Sequence, residues 1–191
     1  RRFRNFMSFD RKWLDEGGSE DSHGRTLHAL ASARASLRDP SRRAWADWLF
    51  HESIGTADSF TSPRAIAHAV NALCLLKTAG ALREGEAGRL RAHAGFLHAA
   101  LRRTATAEWH WFEETLAYEN ALLPAALINA ARHLKDSAML DDGLAALWWL
   151  SYAQKAEDGW FRAVGTGSVG ALKALPSNFD QQPIEAYATI A

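Results

Sequence analysis

The chain has 191 residues, of which 48% are apolar and 23% charged, so it can bury a core and fits neither a disordered segment nor a bundle of membrane spans. Twenty-two basic residues balance 22 acidic ones, and this absence of a basic excess argues against nucleic acid as the main partner. Cys74 is the single cysteine, which excludes an intrachain disulfide and a cysteine-based zinc site and points to a cytoplasmic protein.

Apolar residues recur with the 3.6-residue period almost throughout, and strand-like alternation is scarce. About seven helices are predicted. The first runs from about Asp21 to Leu37 and stops before Pro40. The second, Ser41 to about Ile54, carries Trp45, Trp48 and Leu49 on one face. The third has Ser62 as its cap, Pro63 in its first turn and Gly80 just beyond its end. In the fourth, about Arg83 to Arg103, the residues Leu90, Ala94, Leu97 and Leu101 form an apolar stripe. Pro124 must lie in the first turn of the fifth, since deeper in a helix it would cost ~3 kcal/mol. The sixth, Asp136 to about Ala156, places Leu140, Leu144, Leu147, Trp148 and Ser151 along one side. A glycine-rich segment containing GTGSVG follows, and without a preceding strand it reads as a flexible loop, not as a phosphate cradle. The last helix begins near FDQQPIEAYATI, with Asp180 as its cap and Pro183 in its first turn.

Odd-numbered helices are rich in alanine and begin in polar clusters, whereas even-numbered ones have a wet face. This alternation predicts a single all-α domain of stacked helical hairpins, with Ala29, Ala69, Ala126 and Ala186 at comparable inner positions, and inner helices of this kind can line a ring. Inner-helix starts would then meet at one mouth, where free backbone N–H groups and the positive ends of helix dipoles favour polar ligands. Four segments are candidates for that mouth: SEDSHGR, SPRA, FEETLAYENA and NFDQQPIEA.

Paired carboxylates are what glycosyl chemistry requires, and Asp21, Glu113, Glu114, Asp180 and Glu185 are available. Each also has a local explanation, as a helix cap or as a favourable charge in a first turn. Of these, Asp21, Glu113 and Asp180 are the candidate catalytic acids and bases. His23 and Arg25 could shuttle a proton and clamp a hydroxyl or anion. The consecutive amides Gln181 and Gln182 suit sugar hydroxyls, and Trp160 could stack on a sugar face. Gln154, near the end of the sixth helix, reads as a tie to the following turn. No HExxH pair or other metal-ligand spacing occurs, so neither a metal nor another cofactor is expected.

Three stretches, RFRNFMSFDRKWLDEGGSEDSHGR, WFEETLAYENALLPAAL and FDQQPIEAYA, together resemble the α/α-toroid domain C-terminal to bacterial family 4 (GT-B) glycosyltransferase modules. More distantly they are similar to six-hairpin glycosidases and N-acylglucosamine 2-epimerases. The resemblance implies that the helical hairpins form part of an (α/α)6-type toroid, with a carbohydrate substrate and an adjoining glycosyltransferase module in a longer parent chain. It implies that Asp21, His23, Arg25, Glu113, Tyr118, Asn120, Asp180, Gln181, Gln182 and Glu185 belong to the site; Asp10, Arg11, Glu20 and Glu114 are further candidate substrate contacts beside them. Glu114 and Glu119 depart from the pattern, in which aspartate is usual at both places.

A carbohydrate-binding or carbohydrate-processing domain is the first expectation. The alternatives are a non-catalytic helical scaffold that binds protein, and epimerase-like isomerisation with His23 as base. The opening residues lack the apolar run of a signal peptide, no window suggests membrane insertion, and no initiator Met is present. The expectation is therefore a piece of a longer chain, closed by further residues or by a second copy in a homo-oligomer.

Overall fold

A computed structural model describes residues 2–177 and 179–190. Asn178, which opens the NFDQQPIEA segment, lies outside them, as does Ala191, the last residue of the sequence. The protein is all-α: seven α-helices and no sheet are found among the described residues. No helix among them is long and apolar enough to cross a membrane. The chain divides into two compact units, residues 1–94 and 95–191.

In the first unit, α1 (Glu20–Ser36), α2 (Pro40–Ser53) and α3 (Pro63–Thr78) follow one another, α1 packing on both others. Their starts are fixed by side chains that accept hydrogen bonds from otherwise unpaired first-turn amides. Ser19 caps α1 through Ser22 N, Asp39 caps α2 through Ser41 N and Arg42 N, and Ser62 caps α3 through Ala65 N. Asp21 is thus a first-turn residue of α1 and not its cap. A 3-10 turn, Ile54–Ser59, leads from α2 toward α3.

Helix α3 is buried continuously from Arg64 to Cys74 and again at Leu76, as an inner helix should be. Its contact with α1 is backbone on backbone. A Cβ on Gly24 would fall 2.7 Å from the Ala65 carbonyl oxygen, so only glycine admits this approach. The face of α2 bearing Trp45 and Trp48 turns outward, while Ala46 and Phe50 supply its core. Ala29 is exposed and Ala69 buried, so the two are not equivalent inner positions. Burial pushes the Cys74 thiol up to about 12.

Residues 6–14 ahead of α1 form a small antiparallel hairpin not anticipated from sequence. Met7 pairs with Trp13, Ser8 N donates to Lys12 O at 2.8 Å, and Arg11 turns the chain with φ 63°.

The division between the two units falls within the span of α4 (Glu86–Thr104), whose stripe residues Leu90, Ala94, Leu97 and Leu101 are all buried. In the second unit, α5 (Leu122–Leu134) packs on α6 (Ser137–Ala153), and α7 (Pro183–Ile190) follows a long irregular segment. Pro124 is the third residue of α5, within its first turn. Asp136 caps α6 through Met139 N.

The inward side of α6 consists of Met139, Gly143, Ala146, Leu150 and Ala153, not of the leucine stripe. Gly143 brings α6 so close to α5 that an added Cβ would lie 3.0 Å from Ile128 Cγ1. Small residues at the centre of this face allow the close approach, and Leu144 and Trp148 are left outside. Ala126 is buried in α5, whereas Ala186 of α7 is exposed. Ahead of α5, the buried Trp109 and Trp111 pack on Trp149 with ring centroids 4.8 and 5.7 Å away.

Candidate functional site

Each unit joins the starts of two odd-numbered helices through a carboxylate. In the first, Glu20 on the opening turn of α1 accepts hydrogen bonds from Thr61 N (2.8 Å) and Ser62 N (2.7 Å), just before α3. Arg2 adds an ion pair at 3.0 Å. Burial raises the Glu20 pKa, but these two amides and the arginine outweigh it and hold the carboxyl below its ordinary value. Glu20 is therefore committed to holding α1 beside α3.

His23 lies one turn further along, fully buried. Its Nε2 is 3.1 Å from the Ser53 carbonyl oxygen and its Nδ1 accepts from Phe3 N at 3.2 Å, which selects the neutral Nε2–H tautomer. Phe3 stacks on the ring at 4.9 Å and Phe60 meets it edge-on at 5.7 Å. Burial pushes its pKa down, partly offset by the bond to Ser53. Both ring nitrogens are engaged by backbone, so His23 ties α1 to the end of α2 and neither nitrogen is left for a ligand's proton.

Asp21 and Arg25 form a half-exposed pair at 2.8 Å, four residues apart on α1. Asp10 and Arg11 sit at the exposed tip of the hairpin. Hydrogen bonds from Lys12 and Ser8 hold the Asp10 carboxyl below its usual range. The hairpin turn thus accounts locally for both residues.

In the second unit the carboxylate is Glu185 in the first turn of α7. It is buried and accepts from Asn120 N (3.2 Å), Asn120 Nδ2 (2.9 Å) and Gln154 Nε2 (3.3 Å). Asn120, also buried, accepts from Ala117 N through its side chain and leads directly into α5. Gln154 ends α6, and its backbone carbonyl accepts from Arg162 N at 2.7 Å, the stitching role its position suggests. Glu119, buried and with φ 53°, makes the turn that delivers Asn120 to this junction. Asn120 and Glu185 thereby fix the start of α7 against the starts of α5 and the end of α6.

The remaining candidates of this unit are more open. Glu113 and Tyr118 are half-buried, and the Glu113 backbone carbonyl accepts from Trp109 Nε1 at 2.7 Å. Glu114 is exposed and 3.7 Å from Lys173 Nζ. Asp180, Gln181 and Gln182 are consecutive and exposed. Asp180 has φ 63°, three residues ahead of Pro183, so it shapes the approach to α7 instead of capping it. Its carbonyl accepts from Thr166 N at 3.1 Å, and Gln181 bridges Gly165.

The GTGSVG loop is tied to this segment. Gly165 touches it so closely that a Cβ would meet the Phe179 carbonyl oxygen at 2.1 Å. Amides of Thr166, Ser168, Val169 and Gly170 all donate to backbone carbonyls, which leaves them turned away from any phosphate role. Trp160 and Phe179 stand 75% and 83% exposed.

A charged cluster that no local spacing announced lies in the first unit. Asp47 of α2 meets Arg34 at 3.1 Å, Arg83 at 3.0 Å and His51 at 3.4 Å, and His51 Nδ1 reaches Glu86 at 2.5 Å. Burial raises the Asp47 pKa, but Arg83, His51 and Arg34 prevail and lower it. Apart from His51, one turn along α2, the partners of Asp47 come from distant points of the sequence, which is why periodicity gave no hint of the cluster. No group of three or more metal-ligating side chains occurs among the described residues.

No family model, curated protein or solved structure matches this chain. The functional reading therefore rests on the geometry of each unit and on the sequence motifs.

Proposed function

We propose that the chain is a carbohydrate-binding helical module of the kind that accompanies glycosyltransferases. This reading assigns the sugar contacts to the second unit, to Phe179–Gln182 with Trp160 as a further exposed aromatic ring. The observation that carries this reading is one exposed run of chemistry suited to sugars: an aromatic ring, a carboxylate and two amides in four consecutive residues. Aromatic faces stack on the apolar side of a pyranose, while amides pair with vicinal hydroxyls as both donor and acceptor. The run ends against the buried Glu185–Asn120–Gln154 junction, where Glu185 N donates to the Gln182 carbonyl at 3.1 Å, which anchors its last residue before a ligand arrives.

Calorimetric titration with mannose- and glucose-containing oligosaccharides tests the proposal. Binding that Trp160→Ala and the double change Gln181→Ala/Gln182→Ala each weaken at least tenfold, with helicity unchanged, is expected. A folded chain that binds none of these sugars, or binds them unaltered in both variants, refutes it. The processing form of the same reading assigns acid and base roles to Glu113 and Asp180 in this unit, and to Asp21 in the first. It predicts glycoside hydrolysis that Glu113→Gln or Asp180→Asn abolishes while binding persists. An adjoining glycosyltransferase module and a cytoplasmic location belong to this reading.

A second reading, a protein-binding scaffold, is favoured by the exposed Leu144, Trp148 and Tyr152 of α6. The isomerisation alternative loses support, because its base, His23, is occupied at both nitrogens.

A further inference from the structure

Helix α6 is apolar on nearly every side: between Asp142 and Lys155 it carries no charged residue. Helices of that composition are ordinarily covered all round. Here one ridge is open. Leu144, Trp148 and Tyr152, four residues apart and stacked along one face, are 40%, 76% and 80% exposed. Their neighbour Trp149 turns the other way, into the Trp109 and Trp111 cluster, so the exposure of Trp148 is specific to this ridge. The ridge continues to Asp141 at one end and to Lys155 just past the other, both exposed. No salt bridge to either is found among the described residues.

The pattern is self-complementary about Trp148. If a second α6 lies antiparallel with a two-fold axis at Trp148, each residue n places before it faces the residue n places after it. Leu144 then meets Tyr152, and Asp141 meets Lys155, once on each side of the axis. Opposite charges thus close both ends of an aromatic and aliphatic seam. Such reciprocity is the requirement of an isologous contact, and a parallel arrangement would instead set Asp141 against Asp141.

We infer that this ridge is a docking surface for a second copy of the same chain, with α6 packed antiparallel on α6. The three apolar side chains leave on the order of 400 Å² per copy to cover, about half of the ~800 Å² per partner in a standard interface. Leu140, Leu147 and Ser151 flank the ridge and extend the patch. The dimer is therefore reversible and concentration-dependent.

Sedimentation velocity over a dilution series, from high to low micromolar, tests it. Wild type should shift from dimer toward monomer on dilution, and Trp148→Asp should be monomeric throughout with unchanged helical circular dichroism. Asp141→Lys and Lys155→Asp should each weaken association about tenfold, because each sets like charges opposite one another. The double variant Asp141→Lys/Lys155→Asp should recover most of the loss. A wild-type chain that is monomeric at every concentration overturns the inference, as does a dimer indifferent to Trp148→Asp. Single reversals that the double variant fails to rescue overturn the antiparallel register.

Discussion

Removing the Glu20 carboxylate should separate the starts of α1 and α3. Its two amide partners, at 2.8 and 2.7 Å, make charge-assisted hydrogen bonds of the class worth ~1.5–3 kcal/mol each. Thr61 is exposed and Ser62 half-buried, so water recovers part of the loss in a Glu20→Ala variant. A net destabilisation of ~2–3 kcal/mol is expected, and about half of that for Glu20→Gln, which keeps an accepting oxygen.

The effect should depend on pH with a definite sign. The carboxyl is held below its usual value in the folded chain, so its contribution is complete above the unfolded value near 4.5 and fades as pH falls through the folded one. Urea unfolding followed by circular dichroism at pH 7 and pH 3 measures both quantities. Glu20→Gln should be clearly weaker than wild type at pH 7 and converge on it in acid. A Glu20→Ala variant within ~0.5 kcal/mol of wild type at pH 7, or a Glu20→Gln gap that does not narrow in acid, refutes the clamp.

Gly24→Ala should destabilise by ~1–3 kcal/mol in the same assay, although alanine is the better helix former by ~1 kcal/mol, because its Cβ would strike the Ala65 carbonyl at 2.7 Å. Burial holds His23 neutral, so its share of stability is present above about pH 6.5 and is lost as pH falls toward its lowered folded value; His23→Gln should flatten the wild-type decline between pH 7 and 5. Glu185→Ala strands the buried Asn120 and Gln154 donors and should cost ~3–4 kcal/mol, seen as faster amide hydrogen exchange at the starts of α5 and α7.

Helix starts were legible in the sequence because their causes are local. Ser62 with Pro63, Asp136, and Pro124 act within one turn, and each stands where its chemistry predicts. The inward faces of α2 and α6 were not legible. On α6 nearly every side is apolar, so hydrophobicity cannot orient the helix, and the packing is decided by Gly143 and Ala146, the residues with the least apolar surface. The stripe of Leu140, Leu144, Leu147, Trp148 and Ser151 that the sequence shows is not the side that packs.

At the site, polar clusters at the odd-numbered helix starts were readable. How far each member is consumed was not. Glu20 reaches amides 41 and 42 residues away, and Glu185 reaches Asn120 across 65, separations that spacing rules do not encode. His23 illustrates the same limit: its residue type suggests proton transfer, while its burial between Phe3, Ser53 and Phe60 makes it part of the framework.

The deeply placed thiol of α3 gives the first unit a built-in reporter. With its ionisation pushed up to about 12 and almost none of its surface accessible, Cys74 resists alkylation while that helix stays packed. Because the sequence contains no other thiol, the rate at which a maleimide or iodoacetamide label enters the polypeptide counts the openings of α3, at one site and without any engineered tag.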